Sequence, residues 1–159
     1  MEHSKGRILW IDDEIELLKP HIILLGQRGY TVETASNGDD ALALAQQSNY
    51  DLFFLDESML GMSGLETLSR LKDIDSSVPV VMVTKNEAES VMEDAIGRKI
   101  DDYLTKPVNP AQILAACKKF LESKKIAQGK FTKDYTQGFN DITRRLFGYM
   151  DWNEWLEVY

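Results

Sequence analysis

Five short segments typical of β-strands recur along the chain, and a segment with helical spacing of apolar residues follows each of them. Strands that alternate with helices form a parallel sheet covered on both faces, with right-handed crossovers. The first, third and fourth of the five segments contain continuous apolar runs, which are typical of strands buried on both faces. We therefore expect a doubly wound α/β fold with the flavodoxin-like strand order 2-1-3-4-5. The predicted strands are residues 7–11, 30–35, 50–56, 80–83 and 101–105.

The boundaries of the five predicted helices rest on local signals. Pro20 lies inside the first helical pattern, so this helix either starts late or bends there, and Gly29 ends it. A turn at 36–39 precedes a short second helix at 41–45, and the third begins at Leu65 after a loop. The fourth opens at residue 85. Asn109 is predicted to cap the fifth helix, with Pro110 at its first position.

Composition excludes several classes of protein. The chain of 159 residues is 43% hydrophobic, which is enough for a core, and its net charge of -8 argues against nucleic-acid binding by this region. Its single cysteine, Cys117, falls in a helical apolar pattern and is predicted to be a buried thiol in a reducing cytoplasm. We see no signal peptide, no membrane span, and no metal-ligand spacing around His3 or His21.

The composition of the chain changes near residue 127, where aromatic residues become frequent. Residues 129–159 hold eight of the fifteen aromatic side chains, and Phe131, Tyr135 and Phe139 share one helical face. So dense an aromatic face is expected to pack against something, either here or in a following domain. We therefore predict one domain at 6–126 and the start of a helical domain, cut short, at 127–159.

Polar residues end four of the predicted strands. Asp12 and Asp13 follow the first strand, Asp56 ends the third, Thr84 follows the fourth, and Lys106 follows the fifth. In the expected strand order these four strands are neighbours, and ligands bind at the carboxyl edge of such a sheet. The five side chains are therefore predicted to converge on one pocket.

The predicted pocket suits phosphoryl transfer. Two carboxylates about 5 Å apart repel by roughly 3 kcal/mol at an effective dielectric near 20, so a cation is needed. Lys106 supplies one charge, and Mg²⁺ on Asp12 and Asp13 supplies two more. Asp56 is then a nucleophile that forms an aspartyl phosphate, with Thr84 and Lys106 on the phosphoryl oxygens.

These residues also carry a resemblance that covers roughly residues 6–125. The motifs are Asp12-Asp13, Phe54-Leu-Asp56 with Met59 and Gly64, Val83-Thr84, and Tyr103-Leu-Thr-Lys106-Pro107. In these motifs the chain resembles the receiver domain of two-component response regulators. The resemblance implies that a sensor histidine kinase or a small phosphodonor phosphorylates Asp56.

The resemblance implies further site details. Mg²⁺ would be held by the side chains of Asp13 and Asp56, by Asp12 mostly through water, and by the backbone carbonyl of Ser58. The Lys106-Pro107 bond would be cis. Thr84 and Tyr103 would form a switch pair. Phosphorylation would then change the surface of helix four, strand five and helix five, and would favour a homodimer.

The chain also resembles PorX-type regulators, which are linked to type IX secretion. That similarity rests on the segments 8–21, 83–86, 106–114 and 150–155. In that group a helical segment and an alkaline-phosphatase-superfamily effector domain with zinc follow the receiver. The resemblance implies that this chain is a piece without the effector domain and without a zinc site of its own.

Two departures from the receiver pattern stand near the pocket. Leu60 occupies a position where most receivers have proline, and we expect little effect from it. Lys85 follows Thr84 where a small residue is usual. Its side chain either faces solvent or narrows access to the phosphoryl group and modulates the rates.

Two other functions were weighed. A scaffold that never becomes phosphorylated would keep the fold. The intact acidic pair, Thr84 and Lys106 argue against this function, whereas the departures at Lys85 and Leu60 leave it open. An aspartyl-phosphate phosphatase on a similar sheet would want an Asp-x-Asp after the first strand, and Asp12-Asp13-Glu14 lacks that spacing.

Overall fold

A single five-stranded parallel sheet forms the centre of the fold. The computed structural model describes residues 4–85, 93, 96–98 and 100–122. The strands are β1 (Arg7–Ile11), β2 (Thr31–Ala35), β3 (Leu52–Asp56), β4 (Val80–Thr84) and β5 (Asp102–Thr105). Their order is β2-β1-β3-β4-β5, as the sequence predicts. Every neighbouring pair is parallel, including the pairing of Asp56 with Val83 and of Thr84 with Thr105.

Helices cover both faces of the sheet. They are α1 (Lys19–Gln27), α2 (Gly38–Gln47), α3 (Gly64–Ile74) and α4 (Pro110–Cys117), with a 3-10 turn at Ile15–Leu18 and a π-helical turn at Lys118–Glu122. Helix α4 is the predicted fifth helix. The predicted fourth helix lies mostly outside the described residues, and so do residues 127–159. No helix in the described part is long and apolar enough to cross a membrane.

Alternate residues of each strand supply two separate cores. Ile8 and Trp10 of β1 face α1 and α4, in a core that includes Cys117. Leu9 and Ile11 face α2 and α3 on the other side. Strands β3 and β4 are buried at every residue, which is why their sequences are continuous apolar runs.

Local signals place most helix ends. Helix α1 starts late, with Pro20 in its first turn. Backbone N–H groups in the first turn of a helix have no intrahelical partner, so proline costs no hydrogen bond there. Gly29 has a φ of 95° after this helix, a conformation that favours glycine. Asn109 and Gln112 form a capping box on α4, and Asn109 is the predicted cap.

Helix α2 corrects one prediction. The segment 36–39 was expected to be a turn, but the helix already begins at Gly38. The side chain of Asn37 accepts a hydrogen bond from the backbone N–H of Asp40, so the polar residues act as a helix cap rather than as a separate turn. The same residue types favour both structures, and the sequence alone does not separate them.

Candidate functional site

Three carboxylates meet at the carboxyl edge of the sheet. Each of Asp12, Asp13 and Asp56 offers one oxygen atom, and these atoms all lie within 4.8 Å of one another. Asp12 and Asp56 are buried, whereas Asp13 is exposed. The cluster forms because β1 and β3 are adjacent and both end at this edge.

Lys106 is the cation of this cluster. Its Nζ lies 2.8 Å from Oδ2 of Asp12 and 3.6 Å from Oδ2 of Asp56. The backbone N–H of Lys106 donates to the carbonyl of Thr84, which keeps the chain beside β4 after β5 has ended. The Lys106-Pro107 peptide bond is cis.

Backbone groups fix the two buried carboxylates. The N–H of Ser58 donates to Oδ1 of Asp56 over 3.2 Å, and the N–H of Glu14 donates to Oδ1 of Asp12 over 2.8 Å. Both donors lie two residues after the carboxylate that they contact. These hydrogen bonds hold the carboxylates in place without neutralising them.

The site holds three carboxylates with the ammonium group of Lys106 between them, and burial together with this excess of acidic groups shifts the pKa values of Asp56 and Lys106. Burial and the charge of Asp12 raise the pKa of Asp56 to about 6, although Lys106 and the N–H of Ser58 act in the opposite direction. Burial acts to lower the pKa of Lys106, but its hydrogen bond to Asp12 and the charges of Asp12 and Asp56 outweigh burial and raise it. An additional cation would therefore relieve a real repulsion.

A cavity of about 620 Å³ opens above Asp56. Its walls include Asp13, Ser58, Leu60 and Lys85. The oxygen cluster, with two buried carboxylates and the exposed Asp13 beside an open cavity, suits Mg²⁺, which prefers hard oxygen ligands and keeps several waters. The residues present therefore fit a divalent cation of this kind.

The remaining predicted site residues take distinct places. Thr84 is buried at the end of β4, and Tyr103 is half-buried on β5, where it packs against the core shared by α2 and α3. Lys85 is 75% exposed, and its Nζ lies 4.0 Å from Oε1 of Glu14. Leu60 is exposed at 84%.

The sequence predicts no role for two residues that lie near the site. Glu14 lines the acidic cavity and contacts Lys85, although it was treated only as the residue after the aspartate pair. His21 was assigned nothing for want of metal-ligand spacing, yet its ring lies beside the site, with Nε2 2.7 Å from the carbonyl oxygen of Val108. That contact joins residues 87 positions apart, so no local signal reveals it.

Gly64 allows the loop after β3 to close over Asp56. A Cβ at this position would lie within 3 Å of the carbonyl oxygen of Asp56 and of two backbone atoms of Glu57. These are backbone atoms, which cannot rotate away as a side chain can. The loop that carries Ser58 therefore requires glycine at residue 64.

We predict that Gly64→Ala destabilises the domain by about 1–3 kcal/mol, as overpacking usually does. Urea unfolding of both proteins measures the difference. Gly26→Ala is the matched control, because nothing lies within 4 Å of its added methyl group and α1 would gain up to about 1 kcal/mol. A Gly64→Ala domain as stable as the wild type would show that the loop relaxes freely.

This chain is therefore an α/β domain of the doubly wound class. It carries, at the carboxyl edge of its sheet, an acidic pocket that a lysine bridges and that can hold a divalent cation. The model of the response regulator receiver domain matches residues 8–118. The chain therefore belongs to the receiver domain family of two-component response regulators.

Curated relatives agree with this assignment. The alginate biosynthesis transcriptional regulatory protein AlgB of Pseudomonas aeruginosa is 37% identical over 77% of this chain and 27% of its own length. The transcriptional regulatory protein ResD of Bacillus subtilis is 30% identical over 74% of this chain and 49% of its own length. The chain thus spans about a quarter to a half of these relatives.

Solved structures share the fold. The chemotaxis protein CheY4 of Vibrio cholerae aligns with a TM-score of 0.68 and 28% identity, over 73% of this chain and 98% of that one. A receiver domain protein of Methanospirillum hungatei aligns with a TM-score of 0.72 and 27% identity, over 76% and 97% of the two chains. Both are CheY-like, which confirms the flavodoxin-like fold.

Proposed function

We propose that Asp56 is the phosphoacceptor of this receiver domain. The observation that carries the proposal is the position of its carboxylate, which lies with those of Asp12 and Asp13 in one cluster and 3.6 Å from Nζ of Lys106. An oxygen of Asp56 attacks the phosphorus of a phosphohistidine or of a small acyl phosphate. The P–O bond to Asp56 forms as the bond to the donor breaks, and the imidazole or carboxylate leaves.

The residues of the pocket divide the remaining tasks. Lys106 pairs with an oxygen of the transferred group, and the hydroxyl of Thr84 is assigned to another. Asp13, Asp56 and the carbonyl of Ser58 would hold Mg²⁺, with Asp12 acting through water. The ion would supply charge neutralisation on the phosphoryl oxygens. Asp12 also orients Lys106 through the 2.8 Å contact.

Phosphorylation is proposed to act through the Thr84–Tyr103 pair. Thr84 is the buried last residue of β4 and follows Val83, the partner of Asp56 in β3, while Tyr103 lies half-buried on the neighbouring strand β5. If the hydroxyl moves toward the phosphoryl group, the ring of Tyr103 turns inward and changes the surface of the predicted fourth helix, β5 and α4. We propose a homodimer through this surface. Sedimentation that finds only monomer with and without beryllofluoride would count against it.

The full-length protein is proposed to be a PorX-type regulator linked to type IX secretion. The support is the sequence similarity in the segments given above, and the matched relatives carry the names of transcriptional regulators instead. In the PorX-type group a zinc-binding phosphatase-superfamily effector follows the receiver in the same chain. Zinc analysis of the full-length protein tests this assignment, because a transcriptional regulator would show DNA binding and no stoichiometric zinc.

The test of the phosphoacceptor is intact mass after incubation with acetyl phosphate and Mg²⁺. We expect a gain of one phosphoryl group, about 80 Da, that is absent in Asp56→Asn and absent when EDTA replaces the metal. Lack of any gain in the wild-type protein would favour the unphosphorylated scaffold. Continuous turnover of a generic phosphate ester would favour a phosphatase.

Lys85 is proposed to modulate the rates of phosphorylation and hydrolysis. Its side chain lines the acidic cavity and is largely exposed. We predict that Lys85→Ala slows labelling by acetyl phosphate, because its ammonium group attracts the anionic donor, and speeds hydrolysis, because its side chain narrows the access of water to the phosphoryl group. Each change is expected to be about twofold to fivefold, since an exposed charge contributes up to about 1 kcal/mol. Mass spectrometric time courses measure both rates. Lys119→Ala, remote from the cavity, is the control, and unchanged rates in Lys85→Ala would refute the role.

A further inference from the structure

A second cavity adjoins the acidic pocket on the α1 side of the sheet. Its volume is about 330 Å³, within the range of small-molecule sites. Most of its wall is apolar, formed by Trp10, Leu17, Leu18, Val83, Pro107 and Val108. The cavity therefore offers a surface that an apolar body could cover.

One wall carries a buried hydrogen-bond donor. Trp10 is fully buried, and its Nε1–H has no hydrogen-bond partner among the residues that the structure describes. Its ring packs against Phe54 at a centroid distance of 4.8 Å, which fixes the indole in place. Buried polar groups in proteins are nearly always paired, so the indole N–H indicates a missing partner.

The adjacent wall carries a buried acceptor. Nε2 of His21 lies 2.7 Å from the carbonyl oxygen of Val108, and a carbonyl can only accept, so Nε2 donates. In the neutral ring this tautomer leaves Nδ1 as an acceptor. Nδ1 is also buried and unpaired within the described part of the chain. Trp10 and His21 both line the cavity, and their ring centroids are 6.0 Å apart.

The charged groups in the wall balance one another. Asp12 pairs with Lys106, and Glu14 lies 4.0 Å from Lys85. Two carboxylates and two ammonium groups leave no net charge in the cavity wall. A neutral ligand therefore suits the site better than an ion.

We propose that this cavity is a binding site for a small neutral molecule with an apolar body and one hydroxyl or carboxamide group. Such a group accepts from Nε1–H of Trp10 and donates to Nδ1 of His21. The apolar body covers Leu17, Val83 and Pro107. The site rests on this geometry and does not depend on phosphorylation of Asp56.

The position of the cavity gives ligand binding a consequence for the neighbouring pocket. Glu14, Lys85 and Lys106 line both cavities. A bound molecule would therefore contact the lysine that neutralises Asp12 and Asp56. If the bound molecule changed the affinity of the acidic pocket for a phosphoryl group, a phosphoryl group in that pocket would change the affinity for the molecule by the same factor.

Titration of the ¹⁵N-labelled chain with benzamide tests the site. We expect the indole N–H resonance of Trp10, assigned by its loss in Trp10→Phe, to move with a Kd of about 1 mM, as for other fragments. The indole resonances of Trp152 and Trp155 are followed in the same spectra. N,N-dimethylbenzamide lacks the N–H for His21 and is expected to bind about tenfold more weakly.

A histidine variant separates the site from general adsorption. His21→Phe keeps an aromatic ring but removes the acceptor, and we expect about a tenfold loss of benzamide affinity. Ile23→Ala, an exposed position on the same helix, should bind as the wild type does. A Trp10 resonance that stays still, or equal binding of the two amides, would overturn the proposal and leave a bridging water as the partner of both rings.

Discussion

Lys106→Met is expected to lower the free energy of unfolding of the metal-free domain by about 3 kcal/mol at pH 7.5. Asp12 is fully buried and its Oδ2 lies 2.8 Å from Nζ of Lys106, so the substitution leaves a buried carboxylate without its cation. Asp56, at 3.6 Å, loses the same partner. Urea unfolding in EDTA measures the loss, and Mg²⁺ should restore part of it.

Lys119→Met is the matched control for this prediction. Nζ of Lys119 lies 3.7 Å from Asp102, but the lysine side chain is 63% exposed. Water and salt screen such a pair, so its loss should cost less than about 1 kcal/mol. Equal losses in the two variants would mean that the buried position of Lys106 has no special electrostatic role in stability.

The sequence predicts the framework of this domain because the deciding signals are local. A strand buried on both faces needs apolar residues at every position, and β3 and β4 show this in continuous runs. Asn109 and Gln112, three residues apart, form the capping box of α4. The alternation of strands and helices predicts a doubly wound sheet, and the common order for five strands brings Asp12, Asp13 and Asp56 to one edge, as the structure has them.

What the sequence did not reveal depends on contacts between distant residues. Trp10 is one apolar residue in a strand of apolar residues, so nothing marks its indole N–H as unpaired. His21 meets the carbonyl of Val108 only after β5 and α4 have been placed. Gly64 reads as a loop glycine, whereas the structure shows that the backbone of Asp56 and Glu57 leaves no room for a side chain.

Asp56→Asn is expected to stabilise the metal-free domain by about 2–3 kcal/mol at pH 7.5. Burial and the charge of Asp12 raise the pKa of Asp56 from 3.8, the ordinary value of this carboxyl group, to about 6 in the folded state. Because the folded pKa is raised, this carboxyl group favours folding fully only below pH 3.8. As the pH rises toward and through 6, the unfolded chain ionises first and the domain loses about 1.4 kcal/mol per pKa unit. Asparagine removes that loss and keeps the shape of the side chain.

The difference in stability between Asp56→Asn and the wild type should therefore grow from near zero at about pH 3 to its full value above pH 6. Urea unfolding of both proteins across this range, in EDTA, measures it. The control is Asp73→Asn, at an exposed position, for which the difference in stability from the wild type should not change with pH. Asp51→Asn is unsuitable because Asp51 accepts a hydrogen bond from the N–H of Arg7. Saturating Mg²⁺ should shrink the advantage of Asp56→Asn, since the ion binds the carboxylate and compensates the repulsion from Asp12 and Asp13. A pH-independent difference would show that burial and the neighbouring aspartates do not act on Asp56 in the folded state.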